Sequence, residues 1–121
     1  MDWIMDKKRP ICPQLCERLC ILIASGECAP GERLLSVRDV ALRAGVNPNT
    51  VQKSFEQLEQ TGVIYSRRGS GWYVSEDIHI AQHVLKDLIS TKTTAYLSDM
   101  RSLGLDDQQI MLMIKEELSH E

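Results

Sequence analysis

The chain has 121 residues, 43% of them hydrophobic and 26% charged, a balance that excludes a disordered segment and suits one domain, or one small domain with an appendage. No apolar run approaches the ~20 residues that span a bilayer, and the early charges at Asp2, Asp6, Lys7, Lys8 and Arg9 precede no hydrophobic stretch of signal-peptide length, so the expected location is the cytoplasm, without a membrane partner. The net charge of −3 does not exclude a polyanion partner, because residues 1–76 carry ten Lys/Arg against nine Asp/Glu, and residues 77–121 four against eight.

Residues 11–25 repeat apolar side chains at Cys12, Leu15, Cys16, Leu19, Leu22 and Ile23, an amphipathic helical pattern. Pro10 and Pro13 fit only at its first turn, where a missing N–H costs little. Cys12, Cys16 and Cys20 share one helical face, with Cα atoms roughly 6 Å apart. Reduced thiols are expected in a cytosolic chain. Two roles suit them: a thiol sensor or soft-metal site, or small buried hydrophobes. Cys12 and Cys16 fall on the predicted core stripe and Cys20 at its margin.

The stretch "SGECAPGER" breaks the helix through Gly26, Pro30 and Gly31. A second helix is predicted to start at Ser36, where "SVRD" is a capping-box variant with Asp39 three residues on. Val37, Val40, Ala41 and Ala44 would be its buried stripe, and Gly45 its C-terminal stop. Asn47 is a strong N-cap and Pro48 suits the first position of a third helix. Val46 and Val51 could form a hydrophobic staple at its entry. Helical spacing puts Val51, Phe55 and Leu58 on one side, with Asn49, Gln52, Lys53 and Glu56 opposite. Two short helices joined by about three residues containing Gly read as a helix-turn-helix.

After Gly62 the period becomes strand-like. "VIYSR" and "WYVS" flank "RGSG", predicting a β-hairpin whose tip carries Arg67, Arg68, Gly69, Ser70 and Gly71. From Asp77 the chain turns helical again, with a stripe at Ile80, Ala81, Val84, Leu85 and Leu88. Residues 91–94 weaken it, Ala95, Tyr96, Leu97 and Met100 resume it, and Gly104 ends it. Asp106 or Asp107 caps a last helix with Ile110, Met113, Ile114 and Leu118 on one face. Two amphipathic helices are too little for an independent core, so their faces must pack on the first domain or on another chain. The expected fold is mainly α with a small β-hairpin wing: a winged helix-turn-helix in residues 1–76, followed by a two-helix dimerisation tail in residues 77–121.

Each polar residue then has a candidate task. Asn49 and Gln52 can pair bidentately with adenine in the major groove. Thr50 and Lys53 suit phosphate oxygens. Arg38, in the first turn of the second helix, would face the DNA backbone or a groove edge, and Arg67 and Arg68 would form a finger for a minor groove or for phosphates. The bland alternatives are a solvated helix face, a surface ion pair and a solvated hairpin tip. His79 and His83 have the i, i+4 spacing of a metal pair, but no clear third ligand is adjacent. No nucleophile–base pattern or phosphate-binding loop is present, so neither an enzyme nor a cofactor is expected.

The residues from about 10 to 74, with "SGE…PGERL", "SVRDVA", "GVNPNTVQK", "LE…G" and "GSGWYV", resemble the DNA-binding domain of GntR-family bacterial transcription regulators. "NPNTV" and the short tail with "LGLDDQQI" are similar to the YtrA-like branch, which lacks a large ligand-binding domain. The resemblance implies DNA contacts at Arg38, Asn47, Asn49, Thr50, Gln52, Lys53, Arg67, Arg68, Gly69 and Ser70, and a tail that serves mainly for dimerisation. It also implies a repressor on a palindromic double-stranded operator. Pro48 stands where other branches place an arginine, shifting base readout toward Asn49 and Gln52. Leu35 stands where the family usually has proline, and Trp72, where a smaller or basic residue is common, is expected to pack under the wing. Larger family members fuse this domain to an aminotransferase-like enzyme or an acid-binding module, and 121 residues leave room for neither. Two other readings stay open: a thiol- or metal-responsive sensor using Cys12, Cys16 and Cys20, and a winged-helix protein–protein adaptor. No effector is legible in these residues.

Overall fold

The computed structural model describes residues 3–120. Helix α1 (Ile11–Ala24) begins after Pro10, which offers no side-chain cap, and keeps Pro13 within its first turn. Helix α2 (Val37–Ala44) is capped by Ser36, whose hydroxyl accepts the Asp39 N–H at 3.0 Å. It ends on Gly45 at φ +66°, a left-handed conformation that only glycine adopts without strain. Three residues later α3 (Pro48–Thr61) starts: Asn47 accepts the Asn49 N–H at 2.8 Å and Pro48 fills the first position. Ser, Asn, Pro and Gly therefore fix where the helix pair begins, bends and resumes.

Strands β1 (Ile64–Arg67) and β2 (Gly71–Val74) form the antiparallel wing, in the register Ile64 to Val74, Tyr65 to Tyr73, Ser66 to Trp72 and Arg67 to Gly71. Arg67 and Gly71, expected at the tip, are instead the last paired residues, leaving Arg68, Gly69 and Ser70 as the turn. The Ser70 N–H closes that turn on the Arg67 carbonyl at 3.0 Å.

The segment after α1, expected only to break the helix, adds a third line to the wing. Leu34 N–H donates to Trp72 O and Val74 N–H to Glu32 O, both at 2.8 Å, and Gly31 N–H donates to Val74 O at 2.9 Å. Arg33 pairs with Tyr73 in an isolated bridge. The otherwise unpaired edge of β2 is thereby covered.

The core joins Leu15, Leu19 and Ile23 of α1, Val40 of α2, and Val51, Phe55 and Leu58 of α3 to Val63, Ile64 and Val74 of the wing. Phe55 meets Trp72 edge to face at 5.5 Å, which places Trp72 under the wing as expected. Val37 is only half-buried, whereas Ser54, which the apolar pattern passed over, is wholly buried. Ser54 escapes the cost of an unpaired hydroxyl by donating to Thr50 O at 2.8 Å.

The cysteine order is corrected. Cys20, expected at the margin, is the buried one, and Cys12 and Cys16 are half-buried. The Cys12 thiol donates to Thr50 O at 3.5 Å and the Cys16 thiol to Ser54 O at 3.6 Å, matching successive turns of α3. Small side chains on both helices permit this close approach.

By its contacts the chain divides into two units, Met1–Leu85 and Lys86–Glu121. The division lies within α4 (Ile78–Ser102), a continuous helix through residues 91–94, where a weakening was expected. The Thr93 hydroxyl turns inward on its own helix, donating to Ile89 O at 2.8 Å. In the first unit, Ile80, Ala81 and Val84 of α4 pack on the core. In the second, α5 (Asp107–Ser119) is started by Asp106, not Asp107, through a reciprocal capping box with Gln109. Arg101 donates twice to Asp107 Oδ1, at 3.0 and 3.2 Å. Ile110 is buried there, but Met113 and Ile114 remain 40% and 39% exposed and Leu118 66%.

Candidate nucleic-acid interface

Four side chains share the outer face of α3. Asn49, Gln52, Lys53 and Glu56 are all exposed, while Val51 and Phe55 are fully buried behind them. The cap distinguishes the two asparagines. Asn47 Oδ1 is committed to the Asn49 N–H, so Asn49 is the freer amide. Gln52 Nε2 donates to Glu56 Oε1 at 3.0 Å, one turn along. That bond uses one of its two amide hydrogens and leaves the second amide hydrogen and the carbonyl oxygen outside it. Glu56 thus orients the Gln52 amide, a task that residue spacing alone does not reveal. Thr50 is only half-buried, and its carbonyl is occupied by Cys12 and Ser54.

The wing holds its arginines differently. Tyr65 and Tyr73 stack across the strands at 5.8 Å, and the Arg67 guanidinium lies 4.8 Å from the Tyr73 ring centre and 5.7 Å from that of Tyr65. Tyr73 also exchanges a hydrogen bond with Ser70. Arg67 is therefore an oriented charge, and Arg68 an exposed one at the turn beside Gly69. Arg38 is exposed in the first turn of α2.

Two further residues belong to this region and were missed in the sequence. Glu59 of α3 accepts both the N–H and the hydroxyl of Ser66 at 2.8 Å, tying β1 to α3. The Arg33 guanidinium packs on Gly71, where a Cβ would lie 3.3 Å from its Nε, and the +129° φ of Gly71 already disfavours any other residue. Neither contact has a local sequence signature, since both partners are chosen by tertiary pairing.

With Arg67 on phosphate, Arg67→Ala is expected to weaken binding equally on all duplexes and to lower the slope of log K against log salt by about 0.9. Salt titration checks this, and an unchanged slope would remove Arg67 from phosphate contact.

Cys16 and Cys20 are held as thiols by their surroundings. Burial, then the neighbouring cysteines and Glu17, pushes the Cys16 thiol up to about 12, and burial followed by Glu17 pushes Cys20 to about 11. A raised thiol pKa means that the nucleophilic thiolate is scarce at neutral pH. Among the described residues no group of three or more His, Cys, Asp or Glu is placed to hold a metal ion. His79, one of the candidate metal pair, turns its Nδ1 to Gln82 Oε1 at 3.2 Å. Alkylation of Cys16 and Cys20 at pH 7 should therefore be much slower in the folded chain than in urea, as mass spectrometry would read. Rapid native modification with loss of DNA binding would restore the sensor reading.

A helix pair with a three-residue turn, a polar outer helix face and an arginine-bearing hairpin define a winged-helix regulator of the DNA-binding type. The family model for "Bacterial regulatory proteins, gntR family" matches residues 13–74, and the chain belongs to that family. It is 30% identical over 115 residues to the HTH-type transcriptional regulator YhcF of Bacillus subtilis strain 168, covering 95% of either chain. It is 34% identical over 97 residues to the HTH-type transcriptional repressor YtrA of the same organism, covering 80% of this chain and 70% of that one. A GntR family transcriptional regulator from Listeria monocytogenes superposes with a TM-score of 0.81 at 33% identity, over 93% of this chain and 98% of that one. These relatives are transcription regulators rather than enzymes. No helix among the described residues is long and apolar enough to cross a membrane.

Proposed function

We propose that the protein is a cytoplasmic transcriptional repressor that binds a palindromic operator as a homodimer. In this reading residues 1–76 bind DNA and residues 77–121 join the two protomers. The observation that carries it is the outer face of α3, where Asn49, Gln52 and Lys53 stand exposed over a buried Val51 and Phe55. Asn49 and Gln52 read base edges, while Thr50, Lys53, Arg38, Arg67 and Arg68 hold phosphates, helped by Gly69 and Ser70 at the wing turn. Asn47 contributes by fixing the helix start. A repressor is favoured over an activator by the likeness to YtrA, itself named a repressor.

The dimer is supported by the second unit. Met113, Ile114 and Leu118 of α5 leave apolar surface open on a 13-residue helix that buries only Ile110, as a helix awaiting a partner does. Selection of bound duplexes from random DNA tests the reading. It should return an inverted repeat whose half-sites lie about 10 bp apart or a multiple of that. Recovery of no preferred sequence would remove the operator, and a single unrepeated half-site would remove the two-fold dimer.

A further inference from the structure

The arm before α1, residues 3–9, carries three consecutive basic residues that the winged helix does not account for. It is not a loose tail. Trp3 and Met5 are 8% and 7% exposed and join the core. The chain then makes a turn in which Arg9 N–H donates to Asp6 O at 3.1 Å, and the Asp6 carboxylate accepts the Lys8 N–H at 2.9 Å and Arg9 Nε at 3.0 Å. Gln14 of α1 straps that turn down. Its Oε1 accepts the Asp6 N–H at 2.7 Å, and its amide donates toward the carbonyls of Asp6, Pro10 and Arg9 at 2.9, 3.0 and 3.3 Å.

The three cations have different fates within this frame. Arg9 is taken by Asp6, whose carboxyl is held below its usual range by the Lys8 N–H and then by Arg9. Lys7 reaches across to donate to the carbonyl of Gly45, in the turn between α2 and α3. An ammonium has three N–H donors, so that bond leaves two unused. Lys8 is exposed next to it.

We propose that Lys7 and Lys8 form a phosphate clamp, held by the arm beside the turn that introduces α3, and that they grip the DNA backbone flanking the groove α3 enters. This rests on the reading of α3 as the recognition helix. Gly45 lies two residues before the cap Asn47, so the Lys7 ammonium is held at the turn that leads into α3. Because Trp3, Met5 and the Gln14 strap already order the arm, binding does not have to freeze it. The contact would be blind to sequence, adding affinity and fixing orientation. The competing role for Lys7 is purely structural: a cation on the last carbonyls of α2 complements that helix terminus.

Salt titrations of the full chain separate the two. Lys7→Gln, Lys8→Gln and the double variant would be measured against a selected operator and a scrambled duplex of equal length, between about 50 and 200 mM salt. Each single substitution should lower the slope of log K against log salt by about 0.9, and the double by about 1.8. The affinity loss should be equal on both duplexes, and Lys8→Gln should melt as the wild type does. A double variant with the wild-type slope would overturn the clamp, including when Lys7→Gln lowers the melting temperature. A wild-type chain that binds no duplex would overturn the clamp and the proposed function together; intact wild-type binding with unaltered variant slopes would overturn the clamp alone.

Discussion

Ile114→Glu combined with Leu118→Glu is expected to leave a folded monomer that has lost most of its operator affinity. Both side chains are open to solvent in the single chain, at 39% and 66% exposure, so the protomer loses little by their replacement. Glu is a good helix former, which preserves α5. A charge buried in an apolar dimer interface without a partner is costly, and the proposed dimer should dissociate. Two linked half-site contacts exceed one by roughly 10²–10⁴-fold through effective concentration, so operator affinity should fall on that scale while binding to a single half-site persists. Sedimentation velocity with an operator titration reads both. A variant that remains dimeric would move the interface away from this face of α5.

Phe55→Ala should have the largest effect on stability. Phe55 is fully buried, meets Trp72 at 5.5 Å and backs the face that carries Asn49 and Gln52. It also borders a cleft of about 170 Å³ shared with Trp3, Leu22, Leu34 and Val40, so the space left by the ring adjoins an existing void. Phe-to-Ala truncations in cores cost about 3–5 kcal/mol, a large share of the roughly 5–15 kcal/mol that holds a domain together. Chemical denaturation would measure the loss, and tryptophan emission would report Trp72 losing its neighbour. A cost below about 1 kcal/mol would mean that Phe55 does not tie α3 to the wing.

Much of the DNA-facing half was legible because its boundaries are set locally. Ser36, Gly45, Asn47 and Pro48 each solve a helix-end problem within three or four residues, and the apolar spacing of α3 predicts its buried side. What was not legible depends on partners distant in sequence. Glu32 and Leu34 have weak strand preference on their own and are extended because β2 offers them an edge. Trp3 and Met5 look like part of a charged leader until the core is seen to include them. Cys20 is more buried than Cys12 because the packing of α1, which helical spacing alone does not specify, decides which side of a thiol stripe faces inward. Among the proposed DNA contacts, the capping role of Asn47 was legible, but the sequence could not tell that Gln52 is oriented by Glu56 or that Arg67 rests on Tyr73.

The proposed division of labour, with an amide-bearing helix reading bases and arginines holding phosphates, rests most directly on Gln52. Its decisive test is the base preference of Gln52→Ala against the wild type, measured by quantitative selection on the same pool of duplexes. The substitution should cost about 1–3 kcal/mol on the selected operator. It should also flatten the preference at one position in each half-site and leave affinity for scrambled DNA unchanged. An equal loss on operator and scrambled DNA, with the preference profile intact, would contradict base reading by this helix.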